Sequence, residues 1–122
     1  MKKLKCHCGQ FKAEIKIDSL DKILRCNCSI CRRKGAIMSM VKNEDFIIVE
    51  GEDKLSLYKF HTKVAKHYFC STCGVYTHHQ RRSDPNTFGI NVGCLDGISA
   101  KDLFELNVRV NDGQNHIKDR KL

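Results

Sequence analysis

The sequence predicts a mostly β fold of short strands with little helix, and three observations carry that expectation. The segment QFKAEIKID (10–18) alternates apolar and polar residues without a break. Seven further short runs rich in β-branched and aromatic residues follow it. Turn signals separate several of these runs, namely Gly35, Gly51 with Glu52 and Asp53, Ser83-Asp84-Pro85-Asn86, Asp96-Gly97 and Asp112-Gly113.

The elements follow in chain order. In 10–18, Phe11, Ala13, Ile15 and Ile17 share one face, while Gln10, Lys12, Glu14, Lys16 and Asp18 share the other, which describes a half-buried strand. The further strand candidates are AIMSMV (36–41), FIIVEG (46–51), KLSLYKF (54–60), AKHYFC (65–70), VYTHH (75–79), TFGINVG (87–93) and FELNVRV (104–110). Helical signal is weak; Ser99 can cap one short helix through AKDLF (100–104). No internal repeat and no low-complexity tract is present. A chain of 122 residues suits a single domain, residues 1–122.

Composition narrows the setting. No apolar run approaches the length of a membrane span. The start, MKKLKCHCGQF, has two early lysines but no apolar stretch of secretory length behind them, so the expectation is a cytoplasmic protein. In that setting eight cysteines point to metal rather than to disulfides. The formal net charge is +8 with cysteines counted neutral. Seven thiolates around two Zn²⁺ ions would subtract seven and add four, leaving about +5. The chain stays basic, which suits an anionic small substrate or nucleic acid as well as a lysine-rich solvated surface.

The cysteines carry the chemistry. Cys6-x-Cys8 is followed after 17 residues by Cys26-x-Cys28-x-x-Cys31, after 38 more by Cys70-x-x-Cys73, and after 20 more by Cys94. Gly9 and Gly74 follow two of these knuckles and let the chain turn tightly around a metal. Zn²⁺ prefers four ligands in a tetrahedron, so seven clustered cysteines divide naturally into four and three. A site with three protein ligands keeps a position open, which separates a reactive metal from a structural one. Spacing alone leaves the pairing undecided. Cys6, Cys8, Cys70 and Cys73 can close one site and leave Cys26, Cys28 and Cys31 as the other, or Cys31 can join Cys70 and Cys73. The first division is preferred, because Cys26, Cys28 and Cys31 lie close enough in sequence to cap one face of a single ion. The triplet can also be a second closed site, completed by a histidine or by Cys94.

The ordered segments CHCGQFKAEI, CNCSICRRKG, YFCSTCGVYTHH and INVGCLDG resemble the glutathione-dependent formaldehyde-activating enzyme family, which includes centromere protein V, from about Cys6 to Gly97. The resemblance implies a β-tent of small antiparallel sheets around a structural zinc. It implies that Cys6, Cys8, Cys70 and Cys73 hold that zinc, and that Cys26, Cys28 and Cys31 hold a second, more labile one. It further implies a zinc-dependent carbon–sulfur lyase-type enzyme that makes or cleaves a glutathione–aldehyde adduct, S-hydroxymethylglutathione in the case of formaldehyde. The sequence departs from the best-studied form in being short, and its last residues read NDGQNHIKDRKL.

Arg32, Arg33 and Lys34 follow the triplet at once, and a cationic lip suits a tripeptide with two carboxylates, so Arg32 and Arg33 are candidate substrate contacts. His78 and His79 fall in one strand and must face opposite ways, so at most one of them can face a given site. His7 reads as an exposed knuckle residue, and Cys94 as a small buried one. His116 reaches the site only if the tail folds back. Two readings from other classes remain: a zinc-stabilised basic module that binds nucleic acid, and a redox-responsive zinc protein. Against nucleic acid, the basic groups (Lys2, Lys3 and Lys5; Arg32 to Lys34; Arg81 and Arg82; Lys118, Arg120 and Lys121) are scattered, without aromatics interleaved as a stacking platform.

Overall fold

The computed structural model describes residues 1–20, 23–60, 63–106 and 108–112. His116 and the basic residues Lys118, Arg120 and Lys121 lie outside the described residues.

Phe11, Ala13 and Ile15 are buried while Lys12 and Lys16 are exposed, so the alternating segment behaves as its pattern predicts. Its regular core is strand β2 (Lys12–Ile15), which pairs antiparallel with β1 (Lys2–Lys5) on one side and with β5 (Phe46–Glu50) on the other. These three form the smaller sheet.

The larger sheet has seven strands. With β3 (Ile23–Cys26), β4 (Met38–Lys42), β6 (Leu55–Tyr58), β7 (Lys66–Cys70), β8 (Tyr76–Gln80), β9 (Thr87–Asn91) and β10 (Arg109–Asn111), its order is β10-β3-β4-β9-β8-β7-β6. The expectation of small antiparallel sheets needs amending here. One sheet is large, and β10 runs parallel to β3. The main core lies where the two sheets meet, with Leu4, Phe11, Ala13 and Ile15 from the small sheet against Val41, Ile90 and Val92.

Among the described residues two α-helices interrupt the strands. α1 (Ser29–Lys34) lies inside the cysteine triplet and was not foreseen; it stops at Gly35, whose φ of 64° is the left-handed conformation that glycine adopts without strain. α2 (Ala100–Glu105) starts where the sequence placed it, with the Ser99 hydroxyl accepting the Asp102 N–H at 3.0 Å. It takes in Phe104 and Glu105, so the strand expected over 104–110 shrinks to Arg109–Asn111. Capping fixed the local structure there against an alternation of apolar residues that fits a strand equally well. Among the described residues no helix is long and apolar enough to cross a membrane.

Candidate metal centres

The knuckles at Cys6 and Cys70 are built alike. The N–H of Cys6 reaches the carbonyl of Phe11 at 3.2 Å, and the N–H of Cys70 reaches that of Val75 at 3.1 Å, so each turn closes over five residues. Gly9 (φ 81°) and Gly74 (φ 75°) stand in open space. Glycine is needed at both for the left-handed backbone and not for lack of room. The Phe11 N–H points at the Cys6 sulfur at 3.4 Å.

The two knuckles bring the sulfurs of Cys6, Cys8, Cys70 and Cys73 within 4.8 Å of one another. The Cys6–Cys8 and Cys8–Cys70 sulfur separations are each 3.6 Å. A tetrahedron of thiolates at about 2.3 Å from Zn²⁺ has edges of about 3.8 Å, so the donor set fits such an ion. Cys6 and Cys70 are at most 1% exposed and belong to the main core. The Val75 N–H is the leading influence that lowers the Cys73 thiol to about 6, which favours the thiolate a metal requires.

Cys26, Cys28 and Cys31 form the second group, again within 4.8 Å. The end of β3 supplies Cys26, the residue capping α1 supplies Cys28, and the first turn of α1 supplies Cys31. Leu24 and Met38 wall the inner side. Hydrogen bonds from Cys26 and then Cys31 lower Cys28 to about 2, whereas Cys31 is pushed up by those same two neighbours and by burial. The Cys28 thiolate is thus easily formed, and that of Cys31 resists. Three thiolates so close together need a cation among them, and a divalent soft metal fits. Among the described residues no fourth Cys, His, Asp or Glu joins the group.

Cys94 stands apart from both groups. It is buried, its sulfur donates to the Tyr76 carbonyl at 3.5 Å, and burial raises its thiol to about 12. His7 is exposed, as expected.

The histidines of β8 do face opposite ways, yet both are buried, because β8 lies inside the sheet and both its faces are covered. His78 enters the main core, stacked on Tyr68 at 4.7 Å and Phe11 at 5.5 Å, with Phe46 at 4.5 Å. His79 faces the other way. It stacks on His67, its partner across the strand pair, at 5.3 Å, and its Nδ1 lies 2.6 Å from the Tyr76 hydroxyl.

The basic run divides in the same manner. Arg32 and Arg33 are exposed on α1, with the Arg33 guanidinium donating to the Ser29 carbonyl at 2.8 Å. Lys34 turns inward. Its Nζ sits 2.7 Å from His67 Nδ1 and 3.6 Å above the Tyr76 ring. Burial lowers its ammonium to about 8, and the charges of Cys31, Cys28 and Cys26 oppose that shift. Sequence reasoning missed Lys34, His67 and Tyr76 as neighbours of the triplet. The one available signal was that KHYFC and VYTHH are consecutive strand candidates that can pair as a hairpin.

The model of the family described as "Glutathione-dependent formaldehyde-activating enzyme" matches residues 1–110. A Halomonas elongata protein that carries this enzyme name provisionally is 29% identical over 76 residues, 56% of this chain. The chain spans about half the length of that curated relative, 48%. A crystal structure of a Rhodobacter sphaeroides protein is similar with a TM-score of 0.82 at 45% identity, covering 89% of this chain and 99% of that one. By the extent of the family match, the chain belongs to the glutathione-dependent formaldehyde-activating enzyme family.

Proposed function

We propose that this chain, a single zinc-binding domain over residues 1–122, is a carbon–sulfur lyase-type enzyme that forms or cleaves the adduct of glutathione and formaldehyde. Cys6, Cys8, Cys70 and Cys73 hold a structural Zn²⁺, and Cys26, Cys28 and Cys31 hold a second, labile one. The observation that carries this reading is the three-sulfur group, which no fourth protein ligand completes among the described residues. A Zn²⁺ bound there would supply a soft Lewis-acid centre with one position left for a substrate sulfur.

In the reaction the glutathione sulfur attacks the aldehyde carbon. The thiol gives up its proton, the C–S bond forms, the π pair of the carbonyl moves to oxygen, and that oxygen takes up a proton in turn; cleavage runs the same steps backwards. The three cysteines hold the site, while Leu24 and Met38 exclude water from its inner side. Arg32 and Arg33, exposed on α1, are placed to meet the tripeptide's carboxylates as an outer lip. Ionising a thiol of pKa about 8.5 gains at most roughly 30-fold at pH 7, and lost nucleophilicity takes back part of that gain. Holding thiol and aldehyde together therefore has to supply the greater share. Reduced cysteines suit a cytoplasmic setting, which belongs to the same proposal.

The test is zinc per chain on protein purified without chelator, before and after incubation with glutathione. About two ions falling towards one, or a thiol-dependent change at the triplet, followed by formaldehyde turnover, supports the reading. A count of two with no thiol-dependent change at the triplet means that both sites are closed, and it removes the enzyme.

A further inference from the structure

Lys34 is a half-buried cation whose partners are the lone pair of His67 Nδ1 at 2.7 Å and the face of the Tyr76 ring at 3.6 Å. Neither carries a negative charge. Among the described residues the carboxylate ion pairs are Lys5 with Asp96 and Lys12 with Glu50, and no carboxylate pairs with Lys34. A cation taken out of water without an anion is costly. The anion available is the triplet itself. Cys31 and Lys34 are three residues apart on α1 and so share a helix face. Tyr76, which lies under the ammonium, also packs against the buried cluster that Leu24, Cys31 and Met38 form.

The support behind Lys34 closes into a ring. His67 accepts from Lys34 at Nδ1, which leaves its own proton on Nε2 and the imidazole neutral. His67 stacks on His79 at 5.3 Å with 18° between the planes, and His79 Nδ1 lies 2.6 Å from the hydroxyl of the same Tyr76. Three side chains from β7 and β8 thus fix the position of the one ammonium on α1.

We propose that Lys34 is the positioning cation of the triplet site, fixed by Tyr76 and His67 so that it offsets the charge of the three thiolates and of the thiolate that a substrate adds. This rests on the reading of the triplet as an open metal site. Three thiolates and a divalent ion sum to −1, and Lys34 brings the sum to zero. An added thiolate then leaves −1 where it would otherwise leave −2. The lysine therefore selects an anionic sulfur over a neutral ligand. Its role is separate from that of Arg32 and Arg33, which would meet carboxylates farther out.

The experiment loads the full chain with Co²⁺ and follows the cobalt spectrum during titration with 2-mercaptoethanol, a thiol without carboxylates, and with imidazole, a neutral control. Cys28→Ser supplies the blank. K34M should weaken mercaptoethanol by about tenfold or more while changing imidazole by less than about twofold, and K34R should restore most of the thiol affinity because it restores the charge. Equal weakening of both ligands, or an unchanged thiol affinity in folded K34M, overturns the proposal. Tyr76→Leu, which keeps the lysine but removes the ring beneath it, should give a smaller shift in the same direction. If K34M does not fold and folded Y76L shows no shift, the proposal also fails. A Cys28→Ser spectrum identical to that of the parent would show that cobalt never enters the triplet, and would sink the open-site reading and this inference together.

Discussion

Gly89 decides whether His79 fits. The residue sits in β9 directly across from His79, and a Cβ built on it meets the imidazole Cε1 most closely, with Nδ1 at 2.9 Å and Nε2 at 3.0 Å. Its φ lies outside the left-handed range, so alanine is permitted by the backbone. Without the ring, Gly89→Ala should stabilise the strand by about 0.5–1 kcal/mol, because glycine is the poorer residue in a strand interior. With the ring present, the imidazole has to retreat by roughly an ångström to reach ordinary contact. It has nowhere free to go: His67 stacks on it at 5.3 Å, and its bond to the Tyr76 hydroxyl is 2.6 Å. Overpacking costs about 1–3 kcal/mol, and a buried hydrogen bond broken on one side costs about 1–3 more. The net expectation is a loss of about 3 kcal/mol, or roughly 10 °C in Tm for a chain of this size. Urea or thermal unfolding of the metal-loaded protein measures it, and the phenol spectrum reports whether the Tyr76 hydroxyl, which also donates to the Gly89 carbonyl at 3.2 Å, loses His79. A stabilised G89A would refute the packing argument outright, because the sign as well as the size would be wrong.

Three further outcomes follow from the same geometry. Cys70→Ser should unfold the chain or weaken it severely, since a structural zinc can supply on the order of 10 kcal/mol of folding free energy, whereas Cys28→Ser should leave a folded protein with one ion fewer; circular dichroism with metal analysis separates the two, and two folded, active mutants would break the assignment. A chelator of graded strength should remove the ion of the triplet first with little change in far-ultraviolet signal, and a single concerted loss of both ions with the fold would contradict that order. Burial, assisted by the Lys34 charge, lowers His78 to about 3, so its contribution to stability is complete above the ordinary histidine value near 6.5 and is lost as pH falls towards 3; between pH 7 and 4 this amounts to about 3 kcal/mol, and His78→Phe should flatten that part of the acid profile.

The sequence revealed the strands where one face had to be dry. Phe11, Ala13 and Ile15 stood out because β2 separates core from solvent. β1 was invisible for the opposite reason: its four residues are three lysines around one buried leucine, and a single inward apolar residue makes no pattern. α1 was hidden because its six residues carry one candidate ligand, Cys31, and three charges and no apolar period, and its limits are set by Cys28 and Gly35. The division of the cysteines into four and three followed from counting ligands, and the sulfurs gather in those groups. Lys34 was not legible as distinct from Arg32 and Arg33. Adjacent helical residues differ in direction by about 100°, and a basic run does not tell which member points inward.

The two cysteine groups differ most in how much chain they tie together. Cys8 and Cys70 are 62 positions apart, so the four-sulfur group joins the start of the chain to β7, and Cys6 and Cys70 anchor it in the main core. Closing a loop of that length is entropically costly, and a bond that holds it closed stabilises the fold accordingly. Cys26, Cys28 and Cys31 lie within six positions, on a segment already fixed by the pairing of β3 with β4 and β10 and by the helix that follows. An ion there closes almost no loop, so its departure exposes little and releases little. This is the condition for chemistry that exchanges ligands at a metal: the centre that meets substrate must be able to lose or change a ligand without unfolding its support. On the function proposed here a permanent centre elsewhere holds the sheets together, and the sulfurs of Cys6, Cys8, Cys70 and Cys73, gathered within 4.8 Å, are the donor set for it.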